Sequence, residues 1–229
     1  MTDAVERRAL EHPGTQLLLD DPDEIPSWLR PLSDRLAQIS AEELTRFTPP
    51  ESGGRESAVL ALFGEQDGRP DVLVIERGDW LRAHPGQPAF PGGSVDPADD
   101  SLVACALREA HEETGLDPSG VEPLHVLPKL WVPPQNFVVT PVVAWWREPS
   151  DVWVNDPQEI AGVHRVPIDE LTAPGAQVRV RHPSGYVGDG FQARDMLIWG
   201  FTGGLLARLL ELGGWIEPDR NGEMVEVRL

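Results

Sequence analysis

Cysteine, lysine and long apolar runs are all scarce in this chain. Cys105 is the single cysteine, so no intrachain disulfide can form, which fits a reducing compartment. The most apolar stretch, residues 196–210, carries Arg208 and is too short to span a bilayer. The opening MTDAVERRAL lacks the apolar core of a signal peptide, so a cytoplasmic location is expected. Positive charge is short as well: 19 Lys and Arg face 38 Asp and Glu, a formal charge of −19, and Lys129 is the single lysine. Generic nucleic-acid binding relies on neutralising phosphates with Lys and Arg, so no nucleic-acid partner is expected. Any anionic substrate would need metal cations or a local basic patch, unless the acidity serves solubility alone.

The chain has 229 residues, of which 40% are hydrophobic, enough for one well-buried domain. Residues 1–25 are polar and acidic without a period and are expected to be poorly ordered or loosely attached. One or two helices are expected in 26–48, with Ser27, Ser33 and Ser40 as candidate caps. Breakers at Pro49-Pro50 and Ser52-Gly53-Gly54 place the boundary of an N-terminal extension at 1–54 and of the main domain at 55–229. The extension is partly helical and partly flexible on this reading, and covering the core, a homodimer contact or mobility all stay open for it.

Two apolar runs flank Asp67-Gly68, a strong hairpin signal. A Gly- and Pro-rich loop over 78–99 leads to a helix expected over 102–113 and ended by Gly115. Strands are expected at 121–130, 137–146 and within 152–166, a turn-rich stretch at 169–190, a helix at 195–212 and a tail beyond 217. There are no internal repeats. Mixed elements without strict alternation indicate an α+β fold.

Glu109, Glu112 and Glu113 fall within about 100° of arc on one helix face, and Val103, Leu107 and Ala110 form a separate apolar stripe. Carboxylates so close repel one another, and only Arg108 stands beside them. Two readings are open on spacing: a solvated acidic face, or a site for a hard divalent cation with oxygen ligands. Late in a helix the dipole adds to the cost of leaving such groups unpaired.

The run Gly93…Arg108-Glu109-Ala110-His111-Glu112-Glu113-Thr114-Gly115-Leu116 resembles the Nudix box, G-x5-E-x7-R-E-U-x-E-E-x-G-U, with U aliphatic. The second half matches at every fixed position, with Ala110 as U. The first half is one residue longer, and Asp99 or Asp100 stands for its first Glu; either could cap the helix. The resemblance implies a Nudix fold, a mixed sheet sandwiched between helices. It also implies Mg²⁺ or Mn²⁺ held by Glu109, Glu112 and Glu113, with Glu109 as ligand or base and Arg108 orienting the carboxylates. His111 lies on the far face and is read as non-catalytic. Cys105 is read as a small buried thiol, since nothing cationic adjoins it in sequence.

Upstream, LVIERGDWLRAHPGQPAFPGG (73–93) resembles the added motif of the coenzyme A pyrophosphatase branch, L-L-T-x-R-S-x3-R-x3-G-x3-F-P-G-G. Arg77, Arg82, Gly86, Phe90, Pro91, Gly92 and Gly93 are in register, whereas Val74, Ile75 and Gly78 depart. Coenzyme A carries a pyrophosphate and a 3′-phosphate, which guanidinium forks match. Arg77 and Arg82 are thus candidate phosphate contacts, the alternative being pairs with Glu76 and Asp79. Gly92 and Gly93 are candidate positions of close backbone approach to substrate, or turn glycines. Phe90 is read as core. Glu159 is expected as an auxiliary ligand or base outside the box, with Asp156 as fallback. Trp131, Trp145, Trp146 and Trp153 are expected to pack, with Trp131 also placed to border the site, and His164 and His182 to be structural or solvated. The expected function is hydrolysis of coenzyme A or its thioesters. Its rivals are hydrolysis of another nucleoside diphosphate derivative and a non-catalytic nucleotide sensor.

Overall fold

The computed structural model describes residues 17–44, 53–81, 85–133, 136–218 and 222–227. A hairpin opens the main sheet. Strand β1 (Arg55–Gln66) turns through Asp67 and Gly68, both at positive φ (52° and 76°), into β2 (Arg69–Arg77), with Gln66 opposite Arg69. Two successive left-handed residues match the strand twist, which is why Asp-Gly serves here. The very short β3 (Pro88–Ala89) pairs with β2, and β4 (Gly92–Ser94) pairs antiparallel with β1. Strands β5 (Val121–Val126) and β6 (Leu130–Val132) both pair with β7 (Phe137–Trp146), and β8 (Ile160–Pro167) pairs with β2. Strand β7 runs parallel to β1 and the other pairings are antiparallel, so this sheet is mixed.

Side-chain alternation along β1 feeds two cores. Ala58, Leu60 and Leu62 face one side; Ala61 and Phe63 face the other. The first face packs against helix α3 (Leu102–Thr114) through Val103, Ala106, Leu107 and Ala110. The second packs against α1 (Arg30–Leu36) and α5 (Gly200–Leu212) through Leu32, Leu36, Leu206 and Leu210. Two further single-turn α-helices are α2 (Ala41–Leu44) and α4 (Ile168–Leu171), and short 3-10 turns lie at Pro22–Glu24 and Pro118–Gly120. The result is the expected α+β sandwich of a mixed sheet between helices.

Three local expectations change. Residues 17–25 are attached: Leu18 and Ile25 are buried, and the Leu18 N–H donates to the Leu124 carbonyl at 2.8 Å. Residues 1–16 lie outside the described residues. Ser33 does not cap α1, which has no side-chain cap; it sits inside the helix, buried, and its hydroxyl meets His125 Nε2 at 2.8 Å. Ser40 does act at a helix start, since its N–H and hydroxyl both donate to the Glu43 carboxylate at 3.0 Å. A second sheet runs through the stretch expected as turns, the start of the expected last helix and the tail, in the order β11 (Met196–Ile198), β10 (Val187–Ala193), β9 (Gln177–Arg181), β12 (Glu223–Glu226). Helix α5 therefore starts at Gly200, after a strand, rather than at 195. Among the described residues no helix is long and apolar enough to cross a membrane.

Burial of α1 makes the extension part of the core. Leu32 is fully buried between α1 and the sheet. Leu32→Ala is expected to destabilise the fold by about 3 kcal/mol, read as a lowered urea midpoint; a change under about 0.5 kcal/mol would mean that the extension is not part of the cooperative unit.

Candidate active site

Helix α3 begins at Ser101, an extended residue whose hydroxyl accepts the Ala104 N–H at 3.0 Å. It ends at Gly115, left-handed at φ 69°, whose N–H returns to the His111 carbonyl at 2.8 Å. Neither Asp99 nor Asp100 caps the helix. Asp99 instead chelates Arg108, with Nε at 2.8 Å and Nη2 at 2.9 Å from its two oxygens. Of the two aspartates left open for the box's first Glu, Asp99 is the one that pairs with Arg108, and this ion pair holds its carboxyl near a pKa of about 2.

Arg108 is the hub of the helix face. Beyond Asp99 it donates through Nη1 to Glu109 and Glu112, both at 3.0 Å, and through Nη2 to the Ser94 carbonyl at 3.2 Å. One guanidinium thereby ties the loop before the helix to two of the three expected metal-binding carboxylates. Cys105 lies beneath it, buried, and burial together with the Asp99 charge pushes the thiol up to about 12. That is an inert thiol, as expected.

The glycine pair completes the face. Gly92 and Gly93 lie opposite Val59 and Ala58 of β1. A Cβ on Gly92 would come within 2.4 Å of the Ala58 carbonyl oxygen, and one on Gly93 within 2.4 Å of the Glu109 carboxyl carbon. Both positions exclude side chains because β1 and the carboxylates already fill the space. The Gly92 N–H donates to Glu113 Oε2 at 2.9 Å. Glu113 is only 5% exposed; burial is the main cause that lifts its pKa to about 8, opposed by the Gly92 hydrogen bond. Burial raises Glu109 too, against the pull of Arg108. Glu112 is exposed.

Two outside segments reach this face. Asn155 closes the helix end: its N–H donates to the Glu113 carbonyl at 3.1 Å, and its amide nitrogen lies 3.1 Å from the Glu112 carbonyl and 3.3 Å from that of His111. Four residues on, the charge of Glu159 raises both Glu109 and Glu113, while that of Arg77, at the end of β2, lowers Glu113. Arg77 Nη2 lies 3.9 Å from Glu159, not on Glu76, which faces His164 at 3.5 Å. Arg77, Arg108, Glu109, Glu112, Glu113, Glu159, Gly92 and Gly93 are thus brought to one locality. Arg82 lies outside the described residues. Asp156 folds its own loop: its carboxylate accepts the Gln158 N–H at 2.9 Å, and its carbonyl accepts those of Glu159 and Ile160. His111 bonds the Leu116 carbonyl at the helix end, and His182 pairs with Ser184. Phe90 and Trp146 are core residues, Trp131 is half-buried, and Trp153 differs from expectation in being 52% exposed, lying over Gly115. Asn155 was not singled out in the sequence; an Asn shortly after a helix carries no spacing rule that would mark it as the partner of that helix's carbonyls forty residues earlier.

Among the described residues no three His, Cys, Asp or Glu side chains form a ready-made metal cluster. Glu109 and Glu112 turn to Arg108, and Glu113 to the Gly92 N–H. The donor set is nevertheless that of a hard cation: three carboxylates on one helix face, two of them bearing a desolvation cost that a divalent charge would offset.

This fold and this carboxylate helix define a class: the chain belongs to the Nudix hydrolase family. A family model described as the NUDIX domain matches residues 54–184. The Nudix hydrolase NudL of an Enterobacter species, named as uncharacterized, is 37% identical over 168 residues, covering 69% of this chain and 83% of that protein. NudL of Citrobacter koseri is 36% identical over 184 residues, covering 77% and 88%. A solved Nudix hydrolase from M. smegmatis, RenU, is 21% identical with a TM-score of 0.47, covering 72% of this chain and 89% of that one.

Glu113 makes stability depend on pH. The folded-state value, about 8, lies above the ordinary 4.5, so the folded state holds this proton more tightly than the unfolded state does. The contribution is complete below the unfolded value and is lost as pH rises through the folded one. The metal-free protein is expected to melt several degrees lower at about pH 8 than at about pH 5 on account of this group. Glu113→Gln, which stays neutral and keeps an oxygen for the Gly92 N–H, should flatten that slope; an unchanged slope would assign the pH dependence to other groups.

Proposed function

We propose that this chain hydrolyses the pyrophosphate bond of coenzyme A or its thioesters, giving adenosine 3′,5′-bisphosphate and 4′-phosphopantetheine or its acyl form. The observation that carries the reading is the position of Arg77. The segment that resembles the coenzyme A branch delivers this guanidinium beside Glu113 and Glu159, and its Nε is buried without a hydrogen-bond partner among the described residues. A cation held among carboxylates with donors to spare suits a phosphate oxygen. Hydrolysis by water, with metal-dependent chemistry at phosphorus, is what the family implies; the finer substrate rests on Arg77, Gly92, Gly93 and the motif register.

Glu109, Glu112 and Glu113 would hold Mg²⁺ or Mn²⁺, which when bound polarises the pyrophosphate and lowers the pKa of water. Arg108 fixes the directions of Glu109 and Glu112. Glu159 serves as a further ligand or takes the proton from the attacking water. Arg77 and Arg82 contact phosphate oxygens of the substrate. The glycine pair lets the β4 backbone lie against β1 and Glu109, with the Gly92 N–H holding Glu113 at the site. Attack by water on one phosphorus breaks the P–O–P bridge and leaves one of the two pyrophosphate phosphorus atoms on each product, the 3′-phosphate staying with the adenosine. Since Glu109, Glu112 and Glu113 are all present, a non-catalytic sensor is the poorer account.

Incubation with Mn²⁺ or Mg²⁺ and a panel of coenzyme A, acetyl-CoA, ADP-ribose, NADH and diadenosine polyphosphates, read by mass spectrometry, tests this. Adenosine 3′,5′-bisphosphate is expected from the first two. Turnover of ADP-ribose with none of coenzyme A would reassign the substrate, and tight nucleotide binding without turnover would favour the sensor. Glu112 is exposed, so Glu112→Gln is expected to lower kcat by about two orders of magnitude or more at an unchanged melting temperature. Retained activity would remove Glu112 from the metal site.

A further inference from the structure

Glu159 sits on an exposed loop, and an exposed loop is a poor platform for a group that must face a fixed carboxylate cluster. The loop, however, is pinned at both ends. On one side Asn155 binds the last carbonyls of α3. On the other, the Gly78 N–H donates to the Glu159 carbonyl at 2.7 Å, and the Trp80 indole N–H donates to the Gln158 carbonyl at 2.7 Å. These two bonds join consecutive peptide groups of the Glu159 loop to the segment that immediately follows Arg77.

Trp80 is unusual for its place. It is 56% exposed, yet its ring lies on the backbone of buried Gly78: a Cβ there would stand 2.4 Å from Cε2 and 2.5 Å from Cζ2. Any larger residue at 78 would lift the indole and move its N–H away from Gln158. Gly78 is also a position where the chain departs from the motif it resembles, which has Ser. The departure and the tryptophan account for each other: the missing side chain is the seat of the ring.

We propose that Trp80, seated on Gly78, is a positioning residue that holds Glu159 at the carboxylate face of α3 and at a fixed distance from Arg77. The inference rests on the proposed hydrolase role of Glu159. Trp80 acts through the Gln158 carbonyl and touches no reacting atom. Its tie spans the two elements that bring charge to the site from outside the helix, the end of β2 and the loop before β8.

The test compares the wild type, Trp80→Phe, Glu159→Gln and the double variant on whichever panel substrate the wild type hydrolyses. Phe keeps one aromatic ring near Gly78 and removes the N–H donor together with part of the indole surface. Trp80→Phe is expected to lower kcat about fivefold to tenfold, the scale of one lost hydrogen bond, with KM unchanged. In the Glu159→Gln background the same substitution should have no further effect, because a group that acts through Glu159 loses its lever when Glu159 is gone. Gly78→Ala should reproduce Trp80→Phe. Amide exchange in the metal-free protein should quicken at Glu159 and Ile160 in Trp80→Phe and stay the same at Gly115. A raised KM at unchanged kcat would make Trp80 a stacking surface for substrate and overturn the inference, as would additive losses in the double variant. If the wild type turns over none of the panel, the hydrolase reading falls and this inference with it; turnover with additive losses overturns this inference alone.

Discussion

The Glu113 carboxyl is buried at the last turn of α3, where it accepts the Gly92 N–H at 2.9 Å and has its pKa lifted to about 8. Burying a carboxylate beside the negative end of a helix dipole, with a second carboxylate next to it, is costly in two ways at once. Much of the surrounding architecture follows from having to tolerate it. The backbone of β4 must pass close enough to donate a hydrogen bond, and that approach demands glycine at 92 and 93. Arg108 must neutralise the neighbouring Glu109 and Glu112 without reaching Glu113, and Asp99 in turn aims Arg108. Burial therefore favours the protonated form of this group.

This dependence explains which parts were legible in the sequence. The spacing of Arg108, Glu109, Glu112 and Glu113 has meaning because a helix converts it into a face, and the stop at Gly115 has meaning because a left-handed residue must end that helix. The Asp67-Gly68 hairpin and the long apolar strand β7 were legible for the same reason: local geometry alone decides them. The choice between Asp99 and Asp100 was not local. It depends on where the Arg108 guanidinium lies after the loop folds back, and one residue of register decides it. The second sheet was missed because β9 and β10 are interrupted by charged residues or Gly, because β11 is only three residues long, and because β12 is joined to β9 from the far end of the chain. Pairings of that kind are settled by tertiary contact, not by propensity. Residues 17–25 misled for a related reason. Their polarity is real, but Leu18 and Ile25 need only single apolar slots to be fixed.

Site residues outside the box show the same limit. Arg77 was found through its register with a motif, and Glu159 through its place ahead of a strand. Their meeting is a property of the sheet, since β2 and β8 are antiparallel neighbours with Arg77 opposite Ile160. That register puts the last residue of β2 and the residue before β8 side by side. A sheet edge thus places the cation and the carboxylate together although eighty-two positions in sequence separate them.

The charge distribution joins these points. A protein with a formal charge of −19 repels a polyanionic substrate at long range. It can still bind one if its few cations are gathered where the phosphates must lie. Lys129 is spent on Glu56, and Arg69, Arg165 and Arg194 pair with Asp169, Asp71 and Glu170 away from the helix face. Arg108 is fully engaged by three carboxylates. Arg77 alone of the described arginines combines a place beside the carboxylate helix with a loose partner, Glu159 at 3.9 Å, and a buried Nε that lacks an acceptor. Among the described residues the carboxylate face thus has one loosely held cation beside it, and Glu159 is the carboxylate nearest to it. Fixing the Glu159 loop at both ends is a way for a strongly acidic chain to keep the Arg77 guanidinium from collapsing onto its neighbouring carboxylates.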